Sequence, residues 1–438
     1  MDQQRITFIR GSVAYDGRNK NNCGMAHPMR LQDYPLASHT VPHASASYRI
    51  PRRLKHILSL DDFETAARRF LPKPIFAYVS GGAENERSLR ANLSDFDRYE
   101  WLGRAFTDTS QRSLDTSVLG HRYAAPFGIA PMGISALTAF EGDLIQTRAA
   151  AEANIPAIMS GSSLMPMEKI VQANPDAWFQ AYVPGEEQKI VALLERVHRA
   201  GFKTLVVTAD VPVSANRENL IRARFSTPLK PDLRLAWEGF THPRWLMGTA
   251  LRTLVRHGMP HFENSGVKRG APIVSANVMR DFGARDHLNW GHLKLIRERW
   301  TGTLVVKGIL DPLDAQKAKQ AGVDGIIVSN HGGRQLDGSV SPISVLPEIV
   351  QAVGDLYPVM IDSGFRRGTD ILVALALGAK FVFVGRPMNY AGVVAGQPGI
   401  KHAIGILATE LSRNMALLGI SRPAEVSADR LRVRRLQD

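Results

Sequence analysis

Short apolar runs, each ending in polar or glycine-rich residues, recur along the chain beyond Ala125. Stretches with helical spacing of apolar residues lie between them, such as Glu187 to Ala200 and Pro312 to Ala321. Because strand and helix patterns alternate, a parallel sheet is predicted. The eight runs are Phe127 to Ala130, Ala157 to Ser160, Trp178 to Tyr182, Thr204 to Thr208, Leu304 to Lys307, Gly325 to Ser329, Val359 to Asp362 and Phe381 to Gly385.

Eight strand and helix units in about 280 residues predict an α/β fold of the (β/α)8 TIM barrel type. A doubly wound sheet would usually carry a GxGxxG turn after its first strand, and none follows Ala130. An additional helix is predicted to begin near Ser59. Residues 1–50 show no hydrophobic period and predict a loosely ordered N-terminal extension, so the barrel domain would span residues 51–438.

The fourth and fifth runs lie much further apart than other neighbouring runs, which predicts an insertion over about residues 226–285. It would leave the barrel at the face where barrel enzymes perform their chemistry. The insertion holds nine Lys or Arg residues against four Asp or Glu. Its segment Pro243 to His257 alternates apolar and basic residues, which predicts a basic amphipathic helix that can lie on an anionic membrane. The alternative is a helix packed over the barrel or against another subunit.

Charge and cysteine content narrow the class of protein. The 438 residues include 54 Lys or Arg and 41 Asp or Glu, a net charge of +13 that favours anionic partners. The single cysteine, Cys23, cannot form an intramolecular disulfide, and the lack of a second cysteine argues against a Cys-rich zinc site, so no metal is predicted. No signal peptide and no spanning helix are predicted, and a reduced, cytoplasmic protein fits best.

Glycines and arginines follow the last two runs. Asp362, Gly364 and Arg366 follow the seventh run, and Gly385 and Arg386 follow the eighth. Glycine lets backbone N–H groups approach an anion, arginine can bind its oxygens in a fork, and barrels often bind phosphate at these two loops. A phosphorylated cofactor or substrate is therefore predicted, the alternative being glycine turns with solvated arginines.

A histidine follows the sixth run in a turn that would expose it. Gly332 and Gly333 predict a tight turn that presents His331 and Arg334 at the barrel mouth. A histidine can exchange a proton near neutral pH, and an arginine can clamp a carboxylate. Asp210, at the end of the fourth run, could orient that histidine, although a single histidine is more often structural. Lys307, which ends the fifth run, could form a Schiff base, steer a phosphate or stabilise negative charge on a cofactor ring.

At these residues the sequence resembles the FMN-dependent 2-hydroxy-acid oxidases and dehydrogenases, which include glycolate oxidase, L-lactate dehydrogenase and (S)-mandelate dehydrogenase. The similarity extends from about Ile57 to Ala416, and its most specific part is Ile326 to Asp337. Further matches are Val306 to Gly308, Arg366 to Asp370 and Ala374 to Ala379. Chance is a poor explanation for this combination.

The resemblance implies that His331 takes a proton from the substrate's hydroxyl or α-carbon, that Asp210 stabilises the imidazolium and that Tyr182 assists. The implied substrate contacts are Tyr78, Tyr182, Arg217 and Arg334. The implied FMN contacts are Pro131, Met132, Gly133, Ser160, Gln180, Thr208, Lys307, Ser329, Asp362, Gly364, Arg366, Gly385 and Arg386. The family also implies a homo-oligomer, namely a tetramer.

Two positions depart from the pattern of short-chain glycolate oxidases. Ser162 stands where those enzymes have a tryptophan, so a 2-hydroxy acid bulkier than glycolate, such as mandelate or lactate, is predicted. Met132 and Gly133 stand where many oxidases have Thr-Ala, which favours a dehydrogenase slightly.

The segment His242 to Pro260 resembles the corresponding loop of bacterial lactate and mandelate dehydrogenases, which lie on the inner face of the cytoplasmic membrane and reduce quinone. This implies a peripheral membrane enzyme in which Trp245 and Leu251 enter the lipid interface. An oxidase that uses O2 and forms hydrogen peroxide is the alternative. A nucleic-acid or lipid binding module on an inactive barrel is a third hypothesis, and intact His331, Arg217 and Arg334 argue against it.

Overall fold

In a computed structural model of the protein, the described residues are 50–226, 233–264, 266, 269–275 and 285–434. Eight parallel strands form one sheet, and a parallel bridge between Ile129 and Ala157 joins the first strand to the second. The sheet thus curls into a nearly closed ring, which confirms the predicted barrel. In chain order, barrel strands one to eight are Phe127–Ile129, Ile158–Ser160, Trp178–Ala181, Thr204–Thr208, Thr303–Ile309, Gly325–Val328, Val359–Ile361 and Phe381–Val384.

Helices cover the outside of the barrel, so the strands are buried on both faces and consist of nearly continuous apolar residues. The first helix begins after Ser59, whose backbone N–H donates to the Asp62 carboxylate at 2.9 Å. The helices before and around the barrel are Leu60–Phe70, Lys73–Ser80, Arg87–Ser94, Ser135–Thr138, Gly142–Glu152, Met167–Ala173, Glu187–Ala200, Glu218–Arg222, Trp290–Arg299, Pro312–Gln320, Pro342–Val353, Gly368–Ala376, Arg386–Ala395 and Gln397–Leu418.

A hairpin covers the amino ends of the barrel strands. Its strands, Thr116–Val118 and His121–Tyr123, pair antiparallel, and Val118 and Tyr123 pack with the apolar side chains inside the barrel. The ring of Tyr123 lies 5.6 Å from that of Phe381, at the start of strand eight. The hairpin thus closes this end of the barrel with apolar side chains. A second small antiparallel pair joins Tyr99–Trp101 to Leu431–Val433.

The insertion after strand four is mainly helical from Leu233 to His257, and the described residues after it form turns and a bridge between His261 and Pro272. Its helices are Leu233–Thr241, Pro243–Trp245 and Arg252–His257, and a π-helical stretch, Leu246–Leu251, connects the last two. No helix in the described ranges is both long enough and apolar enough to cross a bilayer. The prediction for the N-terminal extension falls outside the described residues, apart from Ile50.

One part of the membrane prediction is wrong. Trp245 packs against the barrel core, and its indole N–H donates to the Leu137 carbonyl at 2.8 Å. The guanidiniums of Arg244 and Arg252 lie over the rings of Phe70 and Phe140, at 4.9 and 3.9 Å. The side of the segment that carries Arg244, Trp245 and Arg252 is therefore held by contacts with the rest of the protein. Trp245 does not enter a lipid interface.

Candidate active site

One cavity of about 540 Å³ opens at the carboxyl ends of the barrel strands. A volume of this size is typical of sites for cofactors and small ligands. The closed barrel brings residues from distant parts of the sequence to its wall. The predicted site residues that line it are Tyr78, Pro131, Met132, Gly133, Gln180, Tyr182, Thr208, Arg217, Lys307, His331, Arg334, Asp362, Gly364, Arg366, Gly385 and Arg386.

Three predicted site residues lie behind the cavity wall rather than on it. Ser160 donates its hydroxyl to Gln180 Oε1 at 2.9 Å, and Ser329 Oγ accepts from Lys307 Nζ at 2.8 Å. The third, Asp210, binds His331. All three therefore orient side chains that do line the cavity.

His331 is held by its own turn and by a carboxylate. Its φ is +58°, and Gly332 and Gly333 continue the left-handed conformation at +67° and +73°. A side chain at Gly333 would collide with the backbone of Leu89, so glycine is required there. The predicted tight turn is thus present, and it leaves His331 Nδ1 3.0 Å from Asp210 Oδ1.

The charges of this pair suit a general base. Burial is the strongest influence on His331 and lowers its pKa, although Asp210 opposes that shift. Burial would raise the pKa of Asp210, but His331 and Lys307 outweigh it, so this pKa is lowered and the carboxylate stays ionised. A neutral imidazole that donates from Nδ1 to Asp210 keeps the lone pair on Nε2, which can accept a proton.

A phenol lies beside that lone pair. The Tyr182 hydroxyl is 3.5 Å from His331 Nε2. Burial is the largest influence on Tyr182 and raises its pKa, so the phenol stays protonated and can donate a hydrogen bond. A substrate oxygen placed between the two groups could give a proton to the imidazole and accept one hydrogen bond from the phenol.

Two guanidiniums beside this pair are anchored by neutral oxygens. Arg217 Nε donates to the Arg334 carbonyl at 3.0 Å, and Arg334 Nη1 donates to the carbonyls of Tyr78 and Gly81 at 2.7 and 2.9 Å. Neither arginine takes part in an ion pair with another described residue. Burial, followed by repulsion from Arg334, lowers the pKa of Arg217 to about 10. This unneutralised positive charge is suited to an anionic ligand such as a carboxylate.

A second cationic region lies at the ends of strands five to eight. Lys307 Nζ is 3.1 Å from Asp362 Oδ2, and Arg386 donates to the carbonyls of Val79 and Gly332 at 2.9 Å each. Burial is the main cause that lowers the pKa of Arg386 to about 9. A Cβ at Gly332 would lie 2.7 Å from Arg386 Nη1, so this glycine lets the guanidinium approach the turn.

Arg366 and Arg386 are both predicted to bind phosphate, but only the first of these two forms an ion pair with a described residue. It lines the cavity, but its Nε lies 3.5 Å from the Asp61 carboxylate of the first helix. Acidic side chains of the first helix thus partly neutralise Arg366, and Arg386 is the less neutralised of the two.

Sequence reasoning missed Gln335 and Arg285. Gln335 Oε1 accepts from Arg217 Nη2 at 2.9 Å, while its Nε2 donates to the Asp210 carbonyl at 3.0 Å. Its position directly after Arg334 in the predicted motif was a usable signal. Arg285 lines the cavity from the end of the insertion, where neither periodicity nor spacing marks it. Phe225, just before the insertion, and Phe262, within it, also line the cavity.

Comparisons with known proteins agree with this geometry. The model of the FMN-dependent dehydrogenase family matches residues 67–433. The chain belongs to this family. It is 36% identical over 384 residues to (S)-mandelate dehydrogenase of Pseudomonas putida, covering 86% of the chain and 94% of that protein. It is 38% identical over 374 residues to L-lactate dehydrogenase of Ectopseudomonas mendocina (strain ymp), covering 84% of the chain and 97% of that protein.

A solved structure of the monotopic membrane protein (S)-mandelate dehydrogenase superposes with a TM-score of 0.79 at 35% identity, covering 87% of the chain and all of that structure. The resemblance seen in the sequence is thereby confirmed, and so are FMN dependence and the barrel fold. The individual roles of the site residues remain predictions.

The cavity residues fit FMN. Arg386 and Arg366 can neutralise a phosphate at the ends of strands seven and eight, and Lys307 adds a buried positive charge further inside. Pro131 and Gly133 line the cavity at the end of strand one, which pairs with strand eight. Gln180, which would contact the ring system, donates to Thr208 Oγ1 at 2.7 Å. These residues would hold the cofactor.

Proposed function

We propose that this FMN-dependent dehydrogenase oxidises an (S)-2-hydroxy acid with a side chain larger than that of glycolate to the 2-oxo acid. The observation that carries the proposal is the His331 and Asp210 pair beside Arg217 and Arg334. Among the described residues, no carboxylate forms an ion pair with either guanidinium. A base next to two such guanidiniums is suited to a ligand with a hydroxyl group beside a carboxylate.

In this reaction, separate residues bind the substrate and transfer its proton. Arg217 and Arg334 hold the carboxylate and fix the orientation of the α-carbon. His331 takes a proton from the substrate, and Asp210 stabilises the imidazolium that results. Tyr182 donates a hydrogen bond to the oxygen that becomes the carbonyl. Bound FMN supplies the acceptor for the two electrons that leave the substrate.

The cavity favours a bulky side chain. Ser162 lines the wall, where a tryptophan would fill much more space. Four apolar residues line the same cavity, namely Ile134, Leu220, Phe225 and Phe262. Ile134, Phe225 and Phe262 belong to one buried cluster, and Leu220 and Tyr78 pack against it. This wall suits an aromatic or branched side chain better than the hydrogen of glycolate.

For the electron acceptor, we propose a quinone in an anionic membrane. Large apolar side chains of the insertion are exposed, among them Trp237 at 63%, Phe240 at 71%, Met247 at 64% and Val255 at 83%. Exposed apolar residues together with basic ones such as Arg256 are typical of helices that lie on a membrane surface. The related mandelate dehydrogenase, described as a monotopic membrane protein, supports the same proposal.

An anaerobic screen tests the reaction. The purified yellow protein is mixed with (S)-mandelate, (S)-lactate and glycolate without oxygen, and bleaching of the flavin absorbance is followed. We expect bleaching with the highest kcat/KM for mandelate and the lowest for glycolate. Absence of bleaching with every 2-hydroxy acid would overturn the proposal. Stoichiometric hydrogen peroxide in air would instead support an oxidase.

A further inference from the structure

Arg285 brings a third guanidinium to the substrate end of the cavity. Its side chain is only 6% exposed, and it lines the cavity. Its Cζ lies 5.1 Å from the centre of the Tyr182 ring. At this distance a cation interacts with the face of a phenol, and the interaction is stronger where water is excluded.

Tyr182 is the residue through which this charge can act. Its hydroxyl lies 3.5 Å from His331 Nε2, which is the proposed base. Burial raises the pKa of the phenol, and the nearby carboxylate of Asp210 raises it further. A positive charge over the ring opposes both influences, because it draws electron density from the phenol and makes its O–H a better donor.

We propose that Arg285 is a positioning residue that acts through Tyr182, strengthening the hydrogen bond that the phenol donates to the substrate oxygen next to His331. This inference rests on the proposed function. It also gives the insertion a second role, since the segment that exposes the apolar side chains supplies one cation to the barrel mouth. The contact with the Tyr182 ring carries the inference, whatever other partners Arg285 has.

A double-mutant cycle on the FMN-loaded enzyme tests it. Arg285→Met keeps the length of the side chain and removes its charge, and we expect it to lower kcat for mandelate about tenfold with KM changed less than about threefold. Arg285→Lys retains a cation and should recover most of the loss. In a Tyr182→Phe background, Arg285→Met should cost less than about twofold, because the hydroxyl is already absent.

Three further measurements separate this role from a structural one. Flavin content and unfolding temperature should match those of the matched control Arg199→Met, an exposed arginine on a barrel helix. Binding of phenylglyoxylate is followed by the change in flavin absorbance. It should be weaker in Arg285→Met than in the unaltered enzyme, whereas adding Arg285→Met to Tyr182→Phe should not weaken it further. Equal losses in both backgrounds, or a lysine variant as impaired as the methionine one, would overturn the inference. If no 2-hydroxy acid bleaches the flavin of the unaltered protein, the proposed function itself fails.

Discussion

The barrel mouth and the insertion after strand four both contain several arginines, yet they use them differently. In the mouth, Arg217 and Arg334 are anchored by neutral carbonyl and amide oxygens and face a cavity. On the insertion, Arg244 and Arg252 are exposed and lie over aromatic rings of the barrel. Guanidiniums held by neutral groups keep their charge for a ligand, whereas the exposed ones attach a helix and contribute mainly packing.

The test with the largest expected effect on this contrast removes the proposed general base, His331, from the barrel mouth. His331→Gln should lower the rate of anaerobic flavin reduction by about 10⁴-fold, because the amide of glutamine is not basic enough to accept the substrate's proton. Flavin content and unfolding temperature should change little, since glutamine can still donate to Asp210. The control is His198→Gln, an exposed histidine on a barrel helix. Reduction within tenfold of the unaltered rate would refute the assignment of His331.

The mouth was largely predictable from the sequence because a barrel follows simple rules. Polar residues at strand ends must converge when eight parallel strands close, so the location of Asp210 and Lys307 followed from the strand pattern alone. The tight turn at His331 followed from its two glycines. Roles specific to FMN and a hydroxy acid came from the family resemblance, because charge and spacing alone left Lys307 with three possible roles.

The insertion was less predictable, for a physical reason. An amphipathic period shows that a helix buries one face, but it does not say whether protein or lipid covers that face. Trp245 was expected to enter lipid and instead donates to Leu137, while Trp237, on the preceding helix, is exposed. Arg285 could not be foreseen, because it ends no predicted strand and belongs to no hydrophobic period.

The second test asks whether the exposed apolar residues of the insertion bind a membrane. Replacing Trp237 and Phe240 by serine should weaken binding to vesicles of phosphatidylglycerol and phosphatidylethanolamine by about 100-fold, because two large apolar side chains no longer leave water. Flavin reduction by substrate should be unchanged. The matched control replaces Leu313 and Leu356, which are exposed on the barrel body at 64% and 98%. Equal binding of all three proteins in a flotation assay would reject this surface as the membrane contact.

A third test concerns the carboxylate behind the base. Asp210→Asn should lower the rate of flavin reduction about 30-fold, since a charge-assisted hydrogen bond to the imidazolium is lost. Because Asp210 raises the pKa of His331 against the lowering effect of burial, its removal should lower that pKa further. The base works when neutral, so activity is lost as pH falls through this pKa. The acid limb of the rate profile should thus move to lower pH, and an unmoved limb would contradict the coupling.

The smallest expected effect tests whether Ser162, in the barrel mouth, determines the size of the substrate's side chain. A Cβ at Gly133 would lie 3.1 Å from Ser162 Cβ and 3.2 Å from the Tyr78 hydroxyl. Ser162 and Tyr78, a proposed substrate contact, therefore adjoin the same space, in which we expect the substrate's side chain. Ser162→Trp should lower the ratio of kcat/KM for mandelate to that for glycolate about tenfold, because the indole occupies that space. Ser162→Ala removes the hydroxyl without adding volume and should leave the ratio within about twofold. An unchanged ratio in the tryptophan variant would show that the side chain binds elsewhere, for example toward Phe262.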